Sequence, residues 1–432
     1  MRLYLLLISF AGSSFLFAQN TTNVEIYRAV LQRPDSLPIV FMLESKKIKG
    51  KESWTIRNAE EKLVVKDVRF IGDSIFVEMP FFESSFKLMK VAPGKIAGNW
   101  IKGTTKEDQV MPVVLQSGQK RFELINGSAA KNLSGRWKVE FTRPVGTTRP
   151  AIAEFKQNGS IITGTFLTPS GDYRFLEGVV TGDSLIMSCF DGSHAYYFGA
   201  TIDKDGSLIN GVYAAGAVYR ESWTASKDPK AELDGSSTLM YLKDGEEDLN
   251  FRFPDLDSNF VSIKDEQFKN KVVVIQIMGS WCPNCMDETA FLTKYYNQNK
   301  QRGVEVVALA YEYSTNFSRG QKSLRKLQKQ FDVKYPILIT GATTTDSLRT
   351  EKTLPELTPI KVFPTTIFLD KNGRVREVHT GFYGPGTGIH HEEFKKEFEG
   401  IISRLLAEPG TAVIQNPEKR PGVNGAFSHS SR

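Results

Sequence analysis

The sequence has little cysteine, few long hydrophobic runs and little net charge. Three cysteines among 432 residues cannot build a disulfide scaffold. The 55 basic and 49 acidic residues leave a net charge of +6 without a basic block, which does not indicate nucleic-acid binding. With 40% hydrophobic and 24% charged residues, the chain is neither globally disordered nor a multi-span membrane protein. At about 150 residues per domain, its length predicts about three domains.

The first 18 residues have the pattern of an export signal. Arg2 supplies a positive charge, Leu3–Phe10 an apolar segment, and Ala18 a small residue before a cleavage point. The apolar stretch ends at Ala18 and is shorter than the roughly 20 residues that a membrane-spanning helix needs. We therefore expect a mature protein that does not span a membrane. Its predicted location is an oxidising compartment such as the bacterial periplasm.

Residues 19–228 carry the pattern of an all-β region. Apolar positions alternate along the predicted strands, as at Leu185, Met187 and Cys189 on one face. Turn-forming pairs recur at intervals of about 9 to 14 residues, as expected of strands joined by hairpins. These pairs are Asn158-Gly159, Ser170-Gly171, Gly182-Asp183, Asp191-Gly192 and Asp205-Gly206.

An internal repeat divides this region. The sequence Gly-Asp-Ser-Ile at Gly72–Ile75 recurs as Gly-Asp-Ser-Leu at Gly182–Leu185, and Ala97–Trp100 recurs more loosely as Asn210–Tyr213. Two related antiparallel units are therefore predicted. We name them β unit 1 (residues 19–128) and β unit 2 (residues 129–228).

The rest of the chain alternates strands with helices. A Pro- and Gly-containing linker is predicted at residues 229–245, an α/β domain at 246–408 and a disordered tail at 409–432. Val272–Met278 and Val304–Ala310 have the composition of buried central strands. The order β-α-β-α-β-β-α is the one expected of a thioredoxin fold.

One motif in this domain carries chemistry, the CxxC sequence that ends a predicted strand and begins a helix, Trp281-Cys282-Pro283-Asn284-Cys285. A cysteine at a helix N-terminus faces free backbone N–H groups and the positive end of the helix dipole, which stabilise its thiolate. The second cysteine is close enough to attack the first, so that a mixed disulfide can be resolved within one helical turn. The alternative is half of a zinc site, but no second CxxC or nearby histidine supplies the missing ligands. We expect no metal and no cofactor.

Residues 251–407 resemble the TlpA/ResA-type thiol-disulfide oxidoreductases, which are exported members of the thioredoxin superfamily. The matching segments are Phe253–Asp257, Lys271–Ile275, Trp281–Cys285 and Phe363–Asp370. The two-unit β region joined to such a domain also resembles exported Bacteroidetes members of this family. The resemblance implies a redox-active disulfide between Cys282 and Cys285.

The resemblance also assigns roles by position. Pro364 matches the cis-proline that faces the CxxC, and Trp281 and Phe363 are expected to help position substrate. Glu312 matches a carboxylate near the active site that could accept the proton of Cys285 during resolution. The alternatives are a trans-proline at the start of an edge strand and a solvent-exposed loop glutamate.

The direction of electron flow is inferred from the dipeptide within the motif. Pro283-Asn284 contains no charge that specially stabilises a reduced thiolate, whereas strong oxidants depend on that stabilisation. The predicted activity is therefore reduction of disulfide-containing protein substrates. The family resemblance implies electrons from a membrane thiol donor of the CcdA/DsbD type and roles that include cytochrome c maturation.

Two other functions stay open at this stage. In the first, the β region binds a ligand or partner and the redox domain is accessory. In the second, the protein is a thiol peroxidase. Peroxidatic cysteines usually lie in a Thr-x-x-Cys sequence, which Cys282 lacks. Cys189 is expected to be a buried apolar residue, with a reactive thiol as the alternative. His379, His390 and His391 are isolated and are assigned no metal role.

Overall fold

The computed structural model describes residues 24–48, 50–122, 131–233 and 240–410. The predicted export signal and nearly all of the predicted tail lie outside the described residues. None of the helices in these ranges combines the length and the hydropathy needed to cross a membrane.

β unit 1 is one antiparallel sheet in which the first strand pairs with both the second and the last. Buried apolar positions alternate with less buried ones along the strands of this sheet. The strands are β1 (Val24–Gln32), β2 (Pro38–Ile48), β3 (Lys51–Asn58), β4 (Glu61–Val65), β5 (Asp67–Ile71), β6 (Ser74–Glu78), β7 (Ser84–Ala92), β8 (Lys95–Lys102) and β9 (Gln109–Ser117).

β unit 2 repeats this arrangement and closes into a barrel. Its first strand pairs with its second and its last, and the second strand also pairs with the third. The strands are β10 (Gly135–Thr142), β11 (Thr148–Asn158), β12 (Ile161–Thr168), β13 (Gly171–Asp172), β14 (Leu176–Thr181), β15 (Ser184–Phe190), β16 (Ala195–Ile202), β17 (Leu208–Ala215) and β18 (Tyr219–Lys227). The predicted all-β region of two related antiparallel units is confirmed.

The sequence repeat marks equivalent hairpins in the two units. Gly72 joins β5 to β6 and Gly182 joins β14 to β15, and both have positive φ angles, of 59° and 56°. A side chain at either position would strain this left-handed backbone, which explains why the two turns share glycine.

The two units share a core to which Phe190 of β unit 2 contributes. Phe190 is the last residue of β15, yet its ring packs into β unit 1, with centroids 4.5 Å from Phe41 and 5.2 Å from Trp100. The side chain of Asn58 in β3 accepts from the backbone N–H of Phe190 at 3.1 Å and donates to its carbonyl oxygen at 2.7 Å. The β units are therefore packed against each other, not merely joined in sequence.

The C-terminal part has the predicted thioredoxin fold. Its five-stranded sheet has the order β23-β22-β21-β24-β25, in which β21 is parallel to β22 and antiparallel to β24. The elements are β19 (Arg252–Pro254), β20 (Phe260–Ser262), β21 (Val272–Met278), α1 (Pro283–Asn299), β22 (Val304–Ala310), α2 (Phe317–Phe331), β23 (Ile337–Ile339), α3 (Arg349–Thr353), β24 (Thr365–Leu369), β25 (Val375–Thr380) and α4 (Ile389–Ala407).

The central strand β21 is buried on both faces. Val274 and Met278 pack into one core with α1 and α4, whereas Val273 and Ile275 pack into a second core on the other side of the sheet. Gln276 is the polar exception and has no exposed surface. A strand covered on both sides is rigid, and it places the segment that follows it at a fixed point, the start of α1.

Four elements are additional to the predicted order, and two of them, β19 and β20, precede β21. β23 and α3 lie between α2 and β24 and were not predicted. β23 has only three residues and follows Pro336, so its sequence shows no measurable alternation. It is defined by its parallel pairing with β22, which is a tertiary contact.

Candidate active site

The CxxC motif lies at the turn from β21 into α1. Cys282 is the N-cap residue of α1 and Pro283 occupies the first helical position, where a missing N–H costs nothing. Cys282 and Cys285 form a disulfide, and Cys282 Sγ also accepts from the backbone N–H of Cys285 at 3.2 Å. The free N–H groups and the helix dipole thus face the sulphur of Cys282, as the sequence predicted.

The peptide bond between Phe363 and Pro364 is cis, so the alternative of a trans-proline is wrong. The carbonyl oxygen of Phe363 lies 3.7 Å from Cys282 Sγ. The fold therefore brings this loop, which precedes β24, against the motif. The residues that the sequence assigned to substrate positioning are neighbours of the sulphur.

Trp281 packs on the same side of the motif. Its indole N–H donates to the carbonyl oxygen of Tyr311 at 2.8 Å, and its ring stacks on Tyr313 with centroids 5.6 Å apart. The edge of its ring meets Phe363 at a centroid distance of 5.4 Å. Trp281 and Phe363 form an aromatic wall beside Cys282.

Glu312 follows β22 and is buried, with 3% of its surface exposed, so the alternative of a solvated loop glutamate is wrong. Its carboxylate accepts from the backbone N–H of Ser280 at 2.8 Å and from the Ser280 hydroxyl. Burial raises the pKa of Glu312 to about 7. These hydrogen bonds lead to the turn before Cys282 rather than to Cys285, the cysteine that the sequence analysis paired with Glu312.

A second buried carboxyl, Glu288, was not predicted. The side-chain amide of Gln276 donates both to Glu288 Oε2 at 2.8 Å and to the carbonyl oxygen of Cys285 at 3.3 Å. Thr366, two residues after the cis-proline, donates to the other carboxylate oxygen. Burial raises the pKa of Glu288 to about 7. The available signal was spacing, because Glu288 lies three residues after Cys285 and shares its helix face.

β unit 2 also contacts the motif, which the sequence did not indicate. The hydroxyl of Ser193 donates to the carbonyl oxygen of Trp281 at 2.8 Å. The side-chain amide of Asn284 donates to the carbonyl oxygen of Asp172 at 3.1 Å. Cys282 is 5% exposed and Cys285 is fully buried. These β-unit contacts come from loops about 90 to 110 residues earlier in the chain, and no local pattern identifies such residues.

The remaining candidates lie away from the motif. Cys189 is fully buried in the core of β unit 2, as predicted, and burial raises the pKa of its thiol. His379 contacts Glu377, and His390 contacts Glu154. Within the described ranges, no group of three or more His, Cys, Asp or Glu side chains could hold a metal ion.

Comparisons with known proteins found relatives of this domain. Residues 243–390 match the family model described as Redoxin. The thiol-disulfide oxidoreductase ResA of Bacillus cereus is 27% identical over 161 residues, which are 37% of this chain and 78% of that protein. ResA of Bacillus subtilis is 24% identical over 140 residues, which are 32% of this chain and 69% of that protein.

The solved structures found by comparison each cover a little over a third of the chain. A thiol:disulfide interchange protein of the thioredoxin family from Chlorobium tepidum is 19% identical, with a TM-score of 0.28, and covers 38% of this chain and 99% of that chain. A thiol-disulfide oxidoreductase from Bacteroides fragilis is 14% identical, with a TM-score of 0.27, and covers 34% of this chain and 99% of that chain.

The C-terminal domain is thus similar to the Redoxin family and to the ResA proteins, which supports the TlpA/ResA-like resemblance seen in the sequence. It is a thiol-disulfide oxidoreductase domain, and the class predicted from the sequence is confirmed.

Proposed function

We propose that this protein is an exported reductase that breaks disulfides in other proteins. The observation that carries the proposal is the Cys282–Cys285 disulfide at the start of α1, beside the cis bond of Pro364. The position of Cys282 favours its thiolate once the disulfide is reduced. The uncharged Pro283-Asn284 pair favours a reducing couple over a strongly oxidising one.

The reaction runs through a mixed disulfide. The Cys282 thiolate attacks one sulphur of the substrate disulfide and forms a new S–S bond, while the other substrate sulphur leaves as a thiolate and takes up a proton. The Cys285 thiolate then attacks Cys282 Sγ, which forms the internal disulfide and releases the second substrate sulphur. Two electrons have then passed to the substrate. A membrane thiol donor of the CcdA/DsbD type is proposed to return them.

Two buried carboxyls with a pKa near 7 are candidates for the proton of Cys285. Glu288 is linked to the Cys285 carbonyl through Gln276, whereas Glu312 is linked to the turn before Cys282 through Ser280. We assign proton acceptance to Glu288 on these contacts. Glu312 is assigned the positioning of the turn that carries Cys282. The assignment of Glu312 as the acceptor is the competing proposal.

The substrate is proposed to lie as an extended segment along the loop before β24. The backbone of Phe363 beside Cys282 offers hydrogen-bonding groups, and the aromatic wall of Trp281 and Phe363 offers apolar contact to residues flanking the substrate cysteine. In this proposal the substrate sulphur lies next to Cys282 Sγ.

The reduction potential of the Cys282–Cys285 couple tests the proposed direction. Equilibration against glutathione or dithiothreitol should give a value well below about −200 mV, nearer to thioredoxin than to DsbA. A value near about −120 mV would reverse the direction and make the protein an oxidant. A couple that does not exchange at all would contradict the redox proposal and favour the ligand-binding function of the β region.

Export to the bacterial periplasm is proposed from the pattern of residues 1–18. When the full-length chain is produced in a Gram-negative host, the mature protein should begin near Gln19 and appear in the periplasmic fraction. N-terminal sequencing of that fraction is the measurement. An uncleaved chain that stays in the cytoplasm would contradict the proposal.

A further inference from the structure

The β region covers the redox motif on the side of its first cysteine. The residues before and after Cys282 are both bonded to β unit 2, since Ser193 donates to the carbonyl oxygen of Trp281 and Arg174 donates to that of Pro283 at 3.3 Å. Only 5% of the surface of Cys282 is exposed. A thiolate at this position has little open surface from which to attack a disulfide in a folded protein.

Arg174 ties three parts of the chain together. Its guanidinium forms ion pairs with Glu61 of β unit 1, with Asp191 of β unit 2 at 3.3 Å and with Asp287 of α1. The Arg174 side chain is 9% exposed, so these ion pairs are almost wholly shielded from water. Removal of one partner would leave a buried charge uncompensated, so the closed arrangement depends on all of these groups being present.

The loop that carries Arg174 fits closely against the thioredoxin domain. Gly171 has a φ angle of 122°, which favours glycine, and a Cβ atom there would lie 2.6 Å from the side-chain nitrogen of Asn284. The Asp172 carboxylate accepts from the backbone N–H of Gly384 at 2.7 Å, and the Tyr383 hydroxyl donates to the carbonyl oxygen of Thr168 at 3.2 Å. The contact therefore extends from the motif to the segment before α4.

The contacts named at the motif are polar. They are ion pairs and hydrogen bonds to backbone oxygens, which water can replace when the two surfaces separate. An apolar contact between the β region and the thioredoxin domain is made by Phe81 and Phe331, with ring centroids 5.3 Å apart. Polar interfaces between domains of one chain are the kind that open and close.

We propose that the β region is a cap over the Cys282–Cys285 pair, that Arg174 latches it through Asp287, and that the cap moves away to admit a protein disulfide. The inference rests on the proposed redox role of Cys282 and adds a control on which substrates reach it. In the closed arrangement, small reagents reach Cys282 more easily than large ones. Weakening the latch raises access for large reagents selectively.

Two probes with the same reactive group and different size test the cap. N-ethylmaleimide and a 5-kDa polyethylene glycol maleimide are reacted with Cys282 in a Cys285→Ser background, where mass spectrometry identifies the labelled thiol. Arg174→Gln should raise the ratio of the large-probe rate to the small-probe rate by about tenfold or more, because a buried ion pair of the closed state is lost.

A second variant shows whether the result for Arg174→Gln comes from the lost ion pair to α1 or from misfolding of the β region. Arg174→Gln leaves Glu61 and Asp191 without their cation, whereas Asp287→Asn removes the ion pair to α1 and keeps those two pairs within the β region. Asp287→Asn should therefore raise the same ratio. Arg149→Gln is the matched control, because Arg149 is a largely buried arginine of β unit 2 that pairs with Glu221.

The outcomes separate the cap from the proposed function. A rate ratio in Arg174→Gln and Asp287→Asn equal to that of Arg149→Gln overturns the cap, as does a large probe that already reacts as fast as the small one in the parent. Failure of both probes to label Cys282 in every variant would instead count against a reactive thiol and therefore against the proposed reductase.

Discussion

Replacing Cys285 with serine should abolish turnover and trap the substrate on Cys282. Serine is close in size to cysteine but cannot attack the mixed disulfide, so the covalent adduct has no internal route of release. With insulin as the disulfide substrate and dithiothreitol as the electron source, the rate of catalysed reduction should fall by about a thousandfold or more, as expected when a residue that acts in a covalent step is lost.

Detection of the covalent adduct tests the mechanism more directly than the loss of turnover does. Non-reducing electrophoresis of Cys285→Ser should show a band that contains both chains and disappears with excess dithiothreitol, and Cys282→Ser should show neither turnover nor adduct. Cys189→Ser is the matched control, because Cys189 is a buried thiol outside the motif and its loss should leave turnover unchanged. Undiminished turnover in Cys285→Ser would falsify the two-cysteine mechanism.

Replacing Glu288 with glutamine should make the protein more stable above neutral pH and less active. The pKa of Glu288 is raised from 4.5 to about 7 in the folded chain by burial. A raised folded pKa means that the native state binds the proton more tightly than the unfolded state. Its contribution to stability is therefore fully present below about pH 4.5 and is lost as the pH rises through 7.

The magnitude follows from the same shift. At about 1.4 kcal/mol per pKa unit, ionised Glu288 costs about 3 kcal/mol of folding free energy above pH 7. Urea unfolding should show Glu288→Gln more stable than the parent by up to that amount at pH 8 and nearly equal to it at pH 4.5. An equal difference at both pH values would show that the effect comes from packing rather than from titration.

Activity distinguishes the two buried carboxyls. If Glu288 accepts the proton of Cys285, Glu288→Gln should slow resolution by about a hundredfold or more and remove the part of its pH profile near 7. Glu312→Gln is the matched control, because the pKa of Glu312 is also about 7 but its hydrogen bonds lead to Ser280. A loss of the pH dependence in Glu312→Gln alone would assign the proton to Glu312 instead.

Local sequence patterns were enough to predict the elements whose apolar composition requires them to be buried. The apolar run of β21 and the proline of the motif determine the strand and helix start around Cys282, since both effects act within a few residues. The cis bond before Pro364 was predicted from resemblance and a residue type that permits it. In these places local preference and tertiary structure agree.

The residues that sequence reasoning missed depend on tertiary contacts. Glu288 looks like any polar residue of a helix until Gln276 and Thr366 are seen to enclose it. Arg174 comes from a loop with no periodic pattern, and its three carboxylate partners are spread over the chain from Glu61 to Asp287. No spacing rule joins positions that meet only after two β units and a third domain have packed.

The low exposure of Cys282 also bears on how long the protein keeps its electrons. A dithiol with a low reduction potential in an oxidising compartment can be oxidised by a small oxidant before it meets its substrate. Because 5% of the surface of Cys282 is open, the proposed closed cap should slow oxidation of the thiol as well as entry of a substrate. The contacts that we propose as a control on substrate entry would then also insulate the reduced protein between turnovers.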